Sequence, residues 1–384
     1  MLIYNAHVYP MDREDLSRGF VQIEGGTITA LGAMEDCPSV SAEDYDAQGG
    51  RLYPGWIDIH CHLGMLADGL PYDQDDCNEV TDPVTPHLRA IDALYPLDRC
   101  MQEAREGGVT TVLTGPGSAN AVGGQFAAVK TAGRWVDDMV VKAPAAMKFA
   151  LGENPKGAYG EKKETPMTRM ATAALIRECL SQAKEYGEKQ EAAQKDPEKD
   201  PPDFDAKLEA LLPVVRGELP AHFHAHRADD IATAIRIAKE FSLDYVLIHA
   251  TEGHLVADIL AREGARVVTG PIIGDRSKPE LLHQTLENTA RLVEAGVKAA
   301  ICTDHPENPV QYLPLGAGLC VRHGLSEEQA LRAITIDAAE IAGIADRVGS
   351  ITAGKDADLV LYAGSPFQLD ALPEAVWLNG ERVK

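Results

Sequence analysis

The chain has 384 residues, 59 acidic and 36 basic, and a net charge of −23. Its 45% hydrophobic and 25% charged residues suit a globular protein with a large buried core and exclude disorder as the overall state. The charge also excludes bulk electrostatic binding to nucleic acid or to an anionic membrane surface.

No stretch of about 18 apolar residues appears, so no membrane-spanning helix is expected. The opening MLIYNAHVYPMDRED lacks the basic-then-apolar pattern of a secretory signal. Seven cysteines (Cys37, Cys61, Cys77, Cys100, Cys179, Cys302 and Cys320) are scattered, odd in number and without a CxxC pair. That excludes a disulfide framework and a four-cysteine zinc site. The cytoplasm is the expected compartment.

Residues 1–54 read as short strands with Gly-Gly turns, and residues 349–384 read the same way. A small β-unit built from both ends is therefore expected beside a central unit at 55–348. The centre alternates short apolar runs with amphipathic segments such as DDIATAIRIAKEFS, which stop near Gly or Ser. Eight strands are predicted: Trp56–His62, Val109–Thr114, Gly124–Lys130, Ala145–Ala150, Leu219–His224, Tyr245–His249, Ala265–Thr269 and Val297–Thr303. The βαβα order predicts parallel strands with covering helices, within the size of a (β/α)8 barrel. At about 152–219 the rhythm breaks into two helical patterns joined by KDPEKDPP, longer than a βα unit needs. This insertion reads as solvated helices, or as an active-site cover or subunit contact.

In PGWIDIHCHLG, His60 and His62 stand two apart on a strand, so both rings share one face and can bind one divalent ion. Asp58 shares that face and could orient a ligand. Cys61 points the other way, into the core. Later strand ends carry Lys148, then His222, His224 and His226, then His249, then Asp304. Catalytic groups of such barrels come from the C-terminal ends of several strands. A lysine in an apolar strand also needs a partner for its charge. The three alternating histidines of AHFHAHRADD leave the strand-five ligand open by register.

With the HxH, these segments resemble the amidohydrolase superfamily of metal-dependent hydrolases, and within it the imidazolonepropionase and Xaa-Pro dipeptidase-like branch. The resemblance rests on PGWIDIHCH, GVTTVLTGPGSANAVGGQ, MKFALGENPK, HAHRADD, HATEG, TDHP and the tail GSITAGKDADLVLY. It implies a (β/α)8 TIM barrel beside a β-sandwich made from both termini. It implies His60 and His62 as ligands of one metal and His224 and His249 as ligands of a second. Asp304 would bind metal and move protons. Lys148, carboxylated by CO2, would bridge the two; Glu153 is the alternative anion on strand four. His226 then stands as a catalytic or substrate-facing group and His222 as interior packing. The implied cofactors are two divalent ions, zinc first, with iron, manganese or cobalt compatible.

The PGSANAVGGQ loop at 116–125 lacks the GK[ST] of a phosphate loop and either makes turns or places Asn120 or Gln125 near substrate. Arg227 either forms a salt-bridged cap with Asp229 or takes a substrate carboxylate. His254 and His305 read as non-ligands, and Asp73, Asp75 and Asp76 as a solvated acidic loop. The function expected is hydrolysis of a C–N bond in a cyclic amide or an amino-acid-derived amide of a small molecule. A mononuclear ring deaminase is the alternative, and a non-catalytic scaffold is the remote one. Barrels of this kind are often homo-oligomers.

Overall fold

The computed structural model describes residues 1–66 and 75–384; Asp73 of the acidic loop lies outside them. Eight strands form one sheet in sequential order: β1 (Trp56–Cys61), β2 (Val109–Thr114), β3 (Val122–Lys130), β4 (Val140–Ala150), β5 (Ala221–Ala225), β6 (Tyr245–His249), β7 (Arg266–Thr269) and β8 (Lys298–Ile301). The segment after β8 hydrogen-bonds back to the end of β1. Asp304 N–H donates to His60 O (3.1 Å) and His62 N–H to His305 O (2.9 Å), which closes the barrel.

One expectation fails. β3 is antiparallel to both β2 and β4, so the eight strands are not all parallel. The reason is chain length. Only residues 115–121 separate β2 from β3, and residues 131–139 separate β3 from β4. A parallel crossover needs roughly a dozen residues or more, so the chain can only double back.

The second sheet interleaves the two chain ends. Its order is Glu381–Arg382, Ala375–Leu378, Leu359–Tyr362, Arg51–Pro54, Leu2–Val8, Leu16–Glu24, Thr27–Ala33. Alternating apolar residues bury Ile3, Val21, Leu52, Leu359 and Trp377 in its core. The barrel and this sheet are joined by a buried ion cluster. Lys130, at the end of β3, pairs with Asp356 (2.9 Å) and Asp358 from the GKDAD tail.

The insertion folds as helices Glu153–Gly160, Arg169–Lys195 and Ala206–Val215. Thr168 and Asp205 cap the second and third by accepting backbone N–H groups. Ile176, Leu180 and Ala183 pack with Leu211 and Val214, and Arg169 pairs with Asp230 on the neighbouring helix Ala228–Phe241 (3.0 Å). The second and third helices thus pack along the barrel's flank, while the first carries Asn154 to the cavity at the strand ends. Among the described residues no helix is long and apolar enough to cross a membrane.

Candidate active site

The ends of β1, β4, β5, β6 and β8 converge on a cavity of about 490 Å3. His60, His62 and Asp304 form one group able to hold a metal, and His224, His226 and His249 form a second. Asp304 Oδ1 lies 3.5 Å from His60 Nε2 and 3.4 Å from His62 Nε2. Lys148 is fully buried, with Nζ 3.2 Å from His60 Nε2. The two groups abut: the rings of His60 and His249 are 5.5 Å apart and those of His224 and His249 4.6 Å.

Four imidazoles are held from behind through Nδ1. His62 Nδ1–H donates to Gly115 O (2.7 Å) and His249 Nδ1–H to Gly270 O (2.6 Å). A carbonyl only accepts, so these bonds keep a proton on Nδ1 and, in the neutral ring, leave the lone pair on Nε2. Ser118 Oγ holds His224 Nδ1 at 2.9 Å, and Thr251 Oγ1 holds His226 Nδ1 at 2.7 Å. The Nε2 atoms of His224 and His249 are buried without a hydrogen-bond partner. Buried polar atoms are rarely left so. Inward lone pairs backed by outer hydrogen bonds are the arrangement that metal ligation uses, so these residues fit divalent ions.

The local backbone serves this geometry. His249, Ala250 and Asp304 have positive φ of 71°, 40° and 54°, unusual for side-chain-bearing residues and of the kind concentrated at functional sites. Gly270 (φ +136°) presents its carbonyl to His249 where a Cβ would lie 2.2 Å from Cys302 O. Asp58 accepts from the N–H and hydroxyl of Thr303 and from the His60 N–H. It therefore steadies the seam next to Asp304 rather than gripping a ligand ring. Phe126 of β3 floors the site, stacked on His60 at 5.1 Å with Lys148 Nζ 5.6 Å from its centroid.

Burial, and then neighbouring positive charge, pushes His60, His224 and His226 well below the usual imidazole value. Burial takes His249 to about 4 and His222 to about 3. Burial would lower His62 too, but Cys77 and Asp304 hold it up at about 10. Burial would raise Asp304, yet His249 and His62 bring it down to about 2. Burial lowers Lys148 to about 8. Without metal the site thus sets neutral imidazoles at His60, His222, His224, His226 and His249 beside two cations, His62 and Lys148, and the Asp304 carboxylate.

The structure separates the remaining sequence candidates. His226 joins the second metal-competent group, with Nε2 3.7 Å from Oε1 of the fully buried Glu280. His222, the register partner of Lys148, is fully buried in the barrel. Glu153 belongs to neither group: it starts a helix and donates its N–H to Glu280 (3.0 Å). Asn120 does not line the cavity, because its amide is spent on Glu79 O (2.8 Å), Thr85 Oγ1 (2.9 Å) and Tyr159 OH (2.7 Å). Gln125 is also excluded, since strand alternation turns it away from the face of Phe126, where it bonds Pro86 O (3.2 Å). Arg227 is bidentate with Asp229 at the surface (3.0 and 2.8 Å). Cys77, Ser118, Asn154, Thr251 and Lys278 line the cavity although the sequence reading did not place them there. Cys77, Ser118, Thr251 and Lys278 lie in loops, where no periodicity marks them, and Asn154 is the second residue of the helix Glu153–Gly160.

The comparisons agree with this architecture. An amidohydrolase from Thermotoga maritima superimposes with a TM-score of 0.95 at 42% identity, covering 100% of this chain and 99% of that one. Amidohydrolase tasK of Hapsidospora irregularis is 31% identical over 94% of this chain, which spans 39% of that longer protein. The imidazolonepropionase of Shouchella clausii is 25% identical over 94% of this chain and 84% of its own length. The pattern of the Amidohydrolase family matches residues 51–383, a span that takes in both metal-competent groups, Lys148 and the GKDAD tail, and the chain belongs to that family.

Proposed function

We propose that the protein hydrolyses a C–N bond in a cyclic amide or an amino-acid-derived amide, with two divalent ions as cofactor. One observation carries this reading: two abutting groups in which His62, His224 and His249 turn Nε2 inward while Nδ1 is held from behind. His60, His62 and Asp304 would hold one ion, and His224 and His249 the other. Zinc heads the choices, and iron, manganese and cobalt suit the same donors. Such ions polarise a carbonyl and lower the pKa of bound water towards ~7.

The protein's own groups supply the rest. Asp304 is ionised at neutral pH, so it can take a proton from the attacking water and return it to the leaving nitrogen. His226, backed by Glu280, is a second proton-handling group. Phe126 and the buried strand ends keep bulk water from the reacting atoms. Lys148 supports a carbamate. A buried ammonium against His60 Nε2 opposes cation binding there, whereas a lysine that has taken up CO2 would offer an anion to cations held by these histidines.

Metal per chain and CO2 released by acid, followed by an amide and lactam panel, test this. About two ions, one CO2 and amide turnover support it. One ion and no CO2 would favour the ring-deaminase alternative. No metal after reconstitution would refute the enzyme reading.

A further inference from the structure

We propose that Lys278, held by Asn154, is the specificity-determining cation of the cavity and selects substrates carrying a carboxylate apart from the scissile bond; this rests on the hydrolase reading above. Among the described residues Lys278 is the one Lys or Arg lining the cavity, in a chain of net charge −23. Its Nζ donates to Asn154 Oδ1 (3.0 Å), and no described carboxylate lies within ion-pairing distance of it.

The position is built rather than incidental. Lys278 caps the short turn Pro279–Leu281 in the loop after β7. Two residues on, Glu280 accepts the Glu153 N–H, while Lys278 itself takes Asn154. The β7 loop is thus pinned twice, at Lys278 and Glu280, onto the adjacent residues Glu153 and Asn154 after β4. Gly152 permits the approach, because a Cβ there would lie 2.7 Å from Glu280 Oε2. Arg276 braces the same loop through Leu282 O (3.1 Å) and Gln284 O (3.0 Å). With Asn154 Oδ1 committed to the ammonium, its Nδ2 offers further donors beside Nζ. Asp275, Asp304 and Glu307 line the same cavity, so a single negative charge is favoured over a dianion such as a phosphate monoester.

The test pairs N-acyl amino acids and carboxyl-bearing lactams with their isosteric primary carboxamides, using the metal-loaded full chain. Wild type should prefer the acids by about 10- to 100-fold in kcat/KM, the range of a charged hydrogen bond. In Lys278→Gln the acid-to-amide ratio should collapse towards one through KM, and Lys278→Arg should restore part of it. Asn154→Asp, which places a competing carboxylate against Nζ, should penalise acids selectively. A wild type without acid preference, or a preference surviving Lys278→Gln, overturns the proposal. If no pair turns over, the hydrolase reading fails separately. Calorimetry of metal-free protein with N-acetyl-L-proline and N-acetyl-L-prolinamide then decides: tighter acid binding lost in Lys278→Gln supports the cation's role, and equal binding overturns it.

Discussion

Replacing Lys130 by methionine tests how the barrel and the terminal sheet are held together. Lys130 and Asp358 are each 3% exposed, and Asp356 15%. Removing the cation leaves the buried Asp358 carboxylate beside the partly buried Asp356. Arg347 retains Asp356 (2.7 Å), but Asp358 keeps only the backbone N–H of Asn379 (2.9 Å). Breaking a buried pair from one side costs about 3–5 kcal/mol. An unfolding entropy of about 2 cal/mol/K per residue gives a chain of this length about 0.8 kcal/mol/K, hence a Tm loss of roughly 4–6 °C. Differential scanning calorimetry measures it. Lys130→Met/Asp358→Asn should recover about half, because the amide still accepts the Asn379 N–H without a charge. Turnover well below Tm should be unchanged. A loss under about 1 °C would refute the view that this cluster, rather than apolar contact alone, joins the two units.

Other outcomes follow from the site. Ser118→Ala frees His224 Nδ1 and should weaken the second ion's affinity by about 10- to 100-fold, read by chelator competition. Asp304→Asn should cut kcat by about 100-fold or more, with folding intact by circular dichroism. Lys148 must lose its proton before taking up CO2, so reconstitution with bicarbonate should speed up as pH rises and level off above about 8. His62 is raised to about 10 in metal-free protein, so its ion pair stabilises most below the ordinary imidazole value and fades as pH rises through about 10. Metal binding should accordingly release this proton at neutral pH, measurable by calorimetry in buffers of different ionisation enthalpy.

The apolar runs located all eight barrel strands, because a buried strand is a short hydrophobic segment whatever its direction. Direction is not in the run. It lies in the connections, and the short links at 115–121 and 131–139 already required β3 to turn back. HxH spacing made His60 and His62 legible. The alternating histidines at 222, 224 and 226 did not resolve themselves, since all three rings are buried and only the partners at Nδ1 tell them apart. Gln125 stands one residue before Phe126 in a strand of period two, on the opposite face, and a glycine-rich loop pattern carries no such phase. Lys278 reaches the cavity, and Glu280 reaches His226, through loop closure across more than 120 residues of sequence, which local pattern cannot encode.

The seam of the barrel gives the two metal-competent groups different parts in assembly. His224, His226 and His249 come from adjacent strands joined by one helix, so β5 and β6 can organise them without the rest of the ring. Asp304 lies more than 240 residues from His60 and His62 and meets them only where the first strand and the chain beyond the last are stitched by two backbone hydrogen bonds. An ion held there acts as a clasp on a closed ring. Its binding free energy adds to the latest and most entropically demanding contact of folding. Stripping the metals should therefore raise hydrogen exchange first along β1 and the segment after β8, while β5 and β6 stay protected.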